Sequence, residues 1–166
     1  MYQHKKYCKS LLQSIRLLLV FRFESYHTVE RIGIDSYIHY LYEQEIHNHI
    51  LVEETALASF EHMADRLAQR VASGKYFASL FLTMISIESV YLDESVNQTC
   101  RRLYDDWQKL YADHLVRFGF SEEESVPKAQ AIFALIHGSM ISSWIKRDPA
   151  DLMMAKKALR GIIGER

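Results

Sequence analysis

Along nearly the whole chain, apolar residues return every three or four positions, which is the spacing of one face of an α-helix. No Asn-Gly or Asp-Gly pair marks a hairpin, and no stretch keeps up the every-second-residue alternation of a half-buried strand. The fold class read from this pattern is all-α, a helical bundle. Six glycines and two prolines in 166 residues leave few interruptions, so the helices should be long.

Leu57, Phe60, Ala64, Leu67 and Val71 make one stripe that ends at Ser73-Gly74; glycine accepts the left-handed conformation of a helix C-terminal cap. A second helix is expected from about Tyr76 to Tyr91. After Asp93, an expected N-cap, Val96, Cys100, Leu103, Trp107, Leu110, His114 and Phe118 follow one face until Gly119. Ser121-x-x-Glu124 has the spacing of a capping box, in which hydroxyl and carboxylate each take an orphan backbone N–H. The long helix that follows carries Val126, Ala129, Phe133, Ile136, Met140 and Trp144 on its apolar row. It should stop near Arg147, because Asp148-Pro149 supplies an N-cap and a first-turn proline for a last helix using Leu152, Ala155, Leu159 and Ile162.

A second row on the long helix is small: Ala131, Ala134, Gly138 and Ser142. Glycine inside a helix costs about 1 kcal/mol against alanine, so Gly138 calls for a close helix crossing. The residues expected to make it are Ala134, Gly138, Ser142, Leu152, Leu159 and Ile162. They either form a four-helix interface between two copies of the chain or pack within a single bundle.

Chemistry is constrained by what is missing. Two cysteines, Cys8 and Cys100, cannot build a disulfide framework and have no zinc spacing around them, which suits reduced thiols and a cytoplasmic setting. The apolar run Leu17 to Phe21 is too short to span a bilayer, and Arg16 interrupts the stretch a signal peptide would use. His47, His49, Glu53 and Glu54 lie close in sequence, but only His49 and Glu53 share a helix face, so no metal and no cofactor are expected. Neither a Gly-x-Ser-x-Gly elbow nor a glycine-rich phosphate loop occurs, and the chain is read as a non-enzyme.

Charge is uneven although the net value is −1. Residues 1–23 hold Lys5, Lys6, Lys9, Arg16 and Arg22 with no acid, whereas Glu24 to Asp65 hold nine acids and one base. The basic start is either a solvated helix face or a source of phosphate contacts. Farther on, aromatic and thioether side chains accumulate on the helices from Tyr76 to Trp144, a supply suited to a core or to a pocket for a mostly apolar guest. The candidate ligand set is Phe81, Met84, Glu88, Trp107, Phe133, His137, Met140 and Trp144. Glu88, on an apolar stripe, would pair with a base such as Arg101 or Arg102 or await a cationic ligand.

From about Leu57 to Ile163 the pattern resembles the ligand-binding domain of TetR/AcrR-type transcriptional regulators, in the branch typified by the lincomycin-resistance repressor. The resemblance rests on Phe81 to Glu88, on Trp107 in a long aromatic-rich helix, and on Gly119-Phe120-Ser121 followed by glutamates. Ile136-His137-Gly138 and Arg147-Asp148-Pro149-x-x-Leu152 complete it. It implies a homodimer whose C-terminal helices form the four-helix interface, a small apolar or cationic effector, and DNA as a partner. It also implies two regions: a helix-turn-helix in residues 1–50 and a ligand-binding and dimerisation domain in 51–166.

The helix-turn-helix would draw on Thr28, Ser36, Tyr37, His39 and Tyr40, with Lys5 and Lys6 ahead of it. This copy departs from the family pattern, being roughly seven residues shorter between Ile32 and Tyr37, where a recognition helix begins. It also carries Glu43 where the family has a lysine, and a carboxylate is repelled by the DNA backbone. Two functions follow: a ligand-responsive repressor, or a dimeric helical ligand-binding module without DNA-binding activity.

Overall fold

A computed structural model describes residues 55–74, 83, 86–87, 90–91 and 94–164, all within one unit of the chain, Leu41–Arg166. Helix α1 is Ala56–Ala72, α2 Glu94–Arg117, α3 Glu122–Lys146 and α4 Ala150–Ile163. Among the described residues there is no strand. The expected DNA-reading positions Lys5, Lys6, Thr28, Ser36, Tyr37, His39 and Tyr40 lie outside the described residues. So do the ligand candidates Phe81, Met84 and Glu88, the N-cap candidate Asp93 and the group His47, His49, Glu53 and Glu54.

Local chemistry accounts for where the helices begin and end. Thr55 caps α1, its hydroxyl accepting from Ala58 N–H at 3.1 Å. At the end of α2, Gly119 takes φ 86°, the Gly119 N–H donates to Val116 O at 2.9 Å and the Phe120 N–H to Leu115 O at 3.3 Å. Those two bonds form a Schellman motif, which satisfies carbonyls that the helix leaves open. The capping box opens α3 as expected: Glu124 N–H donates to the Ser121 hydroxyl at 3.2 Å and Ser121 N–H to the Glu124 carboxylate at 3.3 Å. Glu122, Glu123 and Glu124 also place negative charge at the positive end of the α3 dipole.

The same Schellman pattern ends α3, with Arg147 N–H on Trp144 O and Asp148 N–H on Ser143 O. Here the left-handed residue is Arg147 at φ 55°, an arginine where glycine is the unstrained choice. Helix α4 then starts one residue later than the Asp148-Pro149 spacing predicts. Pro149 is the cap residue and its carbonyl accepts the first intrahelical bond, from Met153 N–H. Asp148 still serves the helix start by accepting from Ala150 N–H at 2.9 Å. Ser143, reaching across from α3, accepts the buried Leu152 N–H at 3.1 Å.

Helix α1 packs along α4, α2 along α3, and α3 also runs against α4. Phe60, Leu115, Ile132, Ile136, Met140, Leu152 and Leu159 are fully enclosed where these elements meet, each worth about 1.5–3 kcal/mol of transfer free energy. Lys156 and Asp65 tie α4 to α1 at 2.6 Å, and the Lys128 ammonium donates to Ile162 O at 2.5 Å. Val126, placed on the apolar row by its spacing, is instead half exposed. It lies in the first turns of α3 beside a surface groove of about 490 Å³ shared with Asp105, Lys109, Asp113 and Val116 of α2.

Candidate functional site

Helix α3 is apolar on more than one side, and its sides do different things. Toward α2 it presents Phe133 and His137, four residues and so about one turn apart. The two rings stack with centroids 3.9 Å apart and planes at 22°. From α2, Trp107 approaches His137 at 5.2 Å and Phe133 at 6.0 Å, and Tyr104 approaches Phe133 edge-on at 5.3 Å. Three of the expected ligand residues, Trp107, Phe133 and His137, therefore meet in one aromatic cluster.

Met140 and Trp144 do not join them. Eleven residues of helix separate Phe133 from Trp144, about 16 Å along the axis. Met140 is buried with Ala68, Val71 and Leu152, and Trp144 packs on that same group. Trp144 also lines a separate cleft of about 460 Å³ with Val71, Ala72, Gly74 and Arg147, at the C-terminal ends of α1 and α3.

Two features of the aromatic cluster are unusual for a core. The indole Nε1 of Trp107 and the Nδ1 of His137 are buried and have no hydrogen-bond partner. An unpaired buried polar atom costs about 1–3 kcal/mol, so most interiors avoid it. Burial also pulls the His137 imidazole from its ordinary value down to about 4. The ring is consequently neutral at neutral pH, one nitrogen a donor and the other an acceptor.

His114, on the apolar face of α2 seven residues beyond Trp107, repeats the theme. It is wedged edge-on between Phe60 at 5.6 Å and Phe118 at 4.9 Å, and neither ring nitrogen has a partner. Burial first and the Arg117 charge second hold it down at about 4. Spacing had placed His114 on the buried face without assigning it a role; the signal was its membership of the Trp107 stripe. Tyr111 lies beside it, donating its hydroxyl to the Met63 sulfur at 3.4 Å, and burial pushes that hydroxyl's pKa up.

The opposite side of α3 faces outward. Ala131, Ala134, Gly138 and Ile145 are exposed, and a Cβ built on Gly138 would meet nothing within 4 Å. Among the described residues, close packing is therefore not what Gly138 serves. On α4 the positions Ala150, Met154, Ala158 and Gly161 are exposed on a matching face, Met154 at 69%. Leu152 and Leu159, assigned by spacing to a subunit interface, are at 0% exposure and point into the protomer's own core. The reason is that α4 is apolar along two stripes, and the one that includes Leu152, Ala155 and Leu159 is spent on the protomer. Ile162 is half-buried. Ser142, also half-buried, donates its hydroxyl to Asp151, which Lys146 meets at 2.6 Å. These two hydrogen bonds hold the Asp151 carboxyl below its ordinary value.

Among the described residues no helix is long and apolar enough to cross a membrane, and no three His, Cys, Asp or Glu side chains are grouped to hold a metal ion.

Comparison with known proteins adds to this geometry. Residues 56–158 match the family model described as transcriptional regulator LmrA/YxaF-like, C-terminal domain. The chain is 28% identical over 117 residues to the uncharacterized HTH-type transcriptional regulator in the lacX 3' region of Lactococcus lactis subsp. lactis, covering 69% of this chain and 59% of that one. It is 24% identical over 71 residues to the uncharacterized HTH-type transcriptional regulator YxaF of Bacillus subtilis (strain 168), covering 43% of this chain and 37% of that one. The chain thus spans less than two thirds of the length of these relatives.

Proposed function

From the fact that this chain belongs to the LmrA/YxaF-like C-terminal-domain family of TetR transcriptional regulators, we infer that it works as a cytoplasmic, ligand-responsive repressor. A small molecule binds in the aromatic cluster of each subunit, and two subunits pair through the outer face of α3 and α4. Binding shifts the angle between subunits, and through residues 1–50 it controls attachment to DNA. A ligand can act this way only by favouring one of two subunit arrangements over the other. No bond is made or broken.

The observation that carries this reading is the division of labour on α3. Its inner side offers aromatic rings with unpaired polar atoms, while its outer side exposes Ala131, Ala134 and Gly138. Ala134, Gly138 and Ile145 on α3 and Met154 on α4 form the centre of the proposed interface, with Ser142 and Ile162 at its margin. Homodimers most often use such a self-complementary patch.

Sedimentation velocity at micromolar concentration tests the interface: the native chain should run as a dimer and Gly138→Arg as a folded monomer. A native monomer would overturn it. Gel-shift against the DNA upstream of its own coding sequence tests repression. Binding at no particular sequence, or none, would leave the second reading, a dimeric ligand-binding module without DNA recognition, which Glu43 and the shortened Ile32–Tyr37 segment favour.

A further inference from the structure

We propose that the groove between α2 and the first turns of α3 binds an aliphatic diammonium compound, whose ends meet carboxylates and one of whose N–H groups donates to the Ser125 hydroxyl. This site is separate from the aromatic cluster and stands whether or not that cluster holds an effector. The groove, about 490 Å³, is lined from α2 by Asp105, Asp113 and Val116 and from α3 by Glu122, Ser125 and Val126. Lys109 also lines it, one turn from both Asp105 and Asp113, and its single charge leaves the groove with an excess of two carboxylates. Among the described residues the ion pairs lie elsewhere, at Lys146–Asp151 and Lys156–Asp65.

Acidic side chains on a surface are commonplace; Ser125 is what sets this groove apart. The residue is 0% exposed and lines the groove, and its hydroxyl is buried with no hydrogen-bond partner. Buried hydroxyls are rarely left so, because an unmade bond costs more than a made one gains. An ammonium N–H supplies the missing bond by donating to the hydroxyl oxygen, whereas a quaternary ammonium has no N–H to give. The spacing of the acids asks for a long guest: Asp105 and Asp113 are eight residues apart on α2, about 12 Å along the axis. Val116 shares a face with Asp113, and Val126 with Glu122; the two valines are 39% and 51% exposed. An alkyl chain covers the valines while its charged ends reach the carboxylates. A bare metal ion does neither, and among the described residues no three acidic, His or Cys side chains are grouped to hold one.

Three probes of one length separate the possibilities: 1,8-diaminooctane, octane-1,8-diol and octamethonium, titrated into the full chain at low salt with backbone amide shifts followed by NMR. The diamine should bind roughly fivefold or more tighter than either of the others, as one net hydrogen bond and paired charges would give. Its shifts should centre on Asp113, Glu122, Ser125 and Val126, and added salt should weaken it by screening. Ser125→Ala, which removes a hydroxyl from a buried site without enlarging the side chain, should bring the diamine down to the level of octamethonium. Asp113→Asn combined with Glu122→Gln, both at exposed positions, should lower diamine affinity roughly fivefold and leave the diol within about twofold. Equal binding of diol and diamine would overturn the role of charge, and equal binding of octamethonium, or full diamine affinity in Ser125→Ala, would overturn the bond to Ser125. Shifts centred on Trp107 and His137 would move the diamine to the aromatic cluster and end the proposal for the groove. Absence of diamine binding up to millimolar concentration would end it as well, without touching the reading of the cluster.

Discussion

The two ends of α3 are built on opposite terms. Around its C-terminal half, where α1 and α4 close over Met140 and Leu152, polar groups have found partners: the buried Leu152 N–H donates to Ser143, and nearer the surface Asp148 takes Ala150 N–H and Asp151 holds Ser142 and Lys146. From its first turn up to His137, on the side where α2 packs on it, Trp107, His137 and His114 keep buried nitrogens with none, and the Ser125 hydroxyl is in the same position. Both ends enclose large apolar side chains, Ile132 and Phe133 toward one and Met140 and Leu152 at the other, so packing alone does not separate them. What differs is whether polar atoms are satisfied, and an interior that leaves several unsatisfied has given up stability at that place. The first end reads as scaffold and the second as the part kept available for something else.

Leu152→Ala should break the scaffold end hardest. Leu152 is fully enclosed against Ala68, Val71 and Met140, and removing its side chain should cost about 3 kcal/mol in denaturant unfolding. If the two ends are as separate as proposed, affinity for aromatic probes measured well below the new midpoint should stay unchanged. A parallel loss of affinity would show that the ends are one unit.

Acid comes next. His114 and His137 both titrate near 4 in the folded chain, against 6.5 for the unreacted ring. Between those values the unfolded chain binds more protons, so stability is complete above about pH 6.5 and declines as pH falls toward 4. Thermal unfolding across that window should show the decline. His114→Phe, which replaces two orphaned nitrogens by carbon in an aromatic nest, should flatten it and raise stability at pH 7 by about 1–2 kcal/mol. An unchanged pH profile in the variant would remove His114 from the account.

The smallest expected effect belongs to Arg147→Gly. The left-handed backbone at this position costs an arginine about 1 kcal/mol that glycine avoids, less the glycine's extra unfolded-state entropy. A net gain of about 0.5 kcal/mol in the midpoint analysis is expected. A loss instead would mean that the Arg147 side chain, beside Trp144 in the 460 Å³ cleft, contributes more than its strain removes.

Much of this architecture was legible in the residues. The capping box at Ser121 and Glu124, the stop at Gly119 and the stop at Ser73-Gly74 were all readable, because a helix terminus is decided by atoms within four residues of it. The meeting of Trp107 with Phe133 and His137 was half readable. Each lies on an apolar face, but the offset of seven and eleven residues from Phe133 that sends Met140 and Trp144 to a different neighbour matters only once α1 and α4 are in place. The orphaned nitrogens left no trace in the sequence, since nothing in a residue's identity says whether its hydrogen bond will be met.

Helix α4 marks the boundary most sharply. Its spacing established that it is a helix and that Leu152, Ala155, Leu159 and Ile162 share a side. Which side closes against α1 and which stays outward was settled by the packing of distant elements, and the assignment of Leu152 and Leu159 to a subunit interface was corrected there. Periodicity fixes a direction around a helix axis through contacts between near neighbours; the partner lying in that direction comes from another part of the chain.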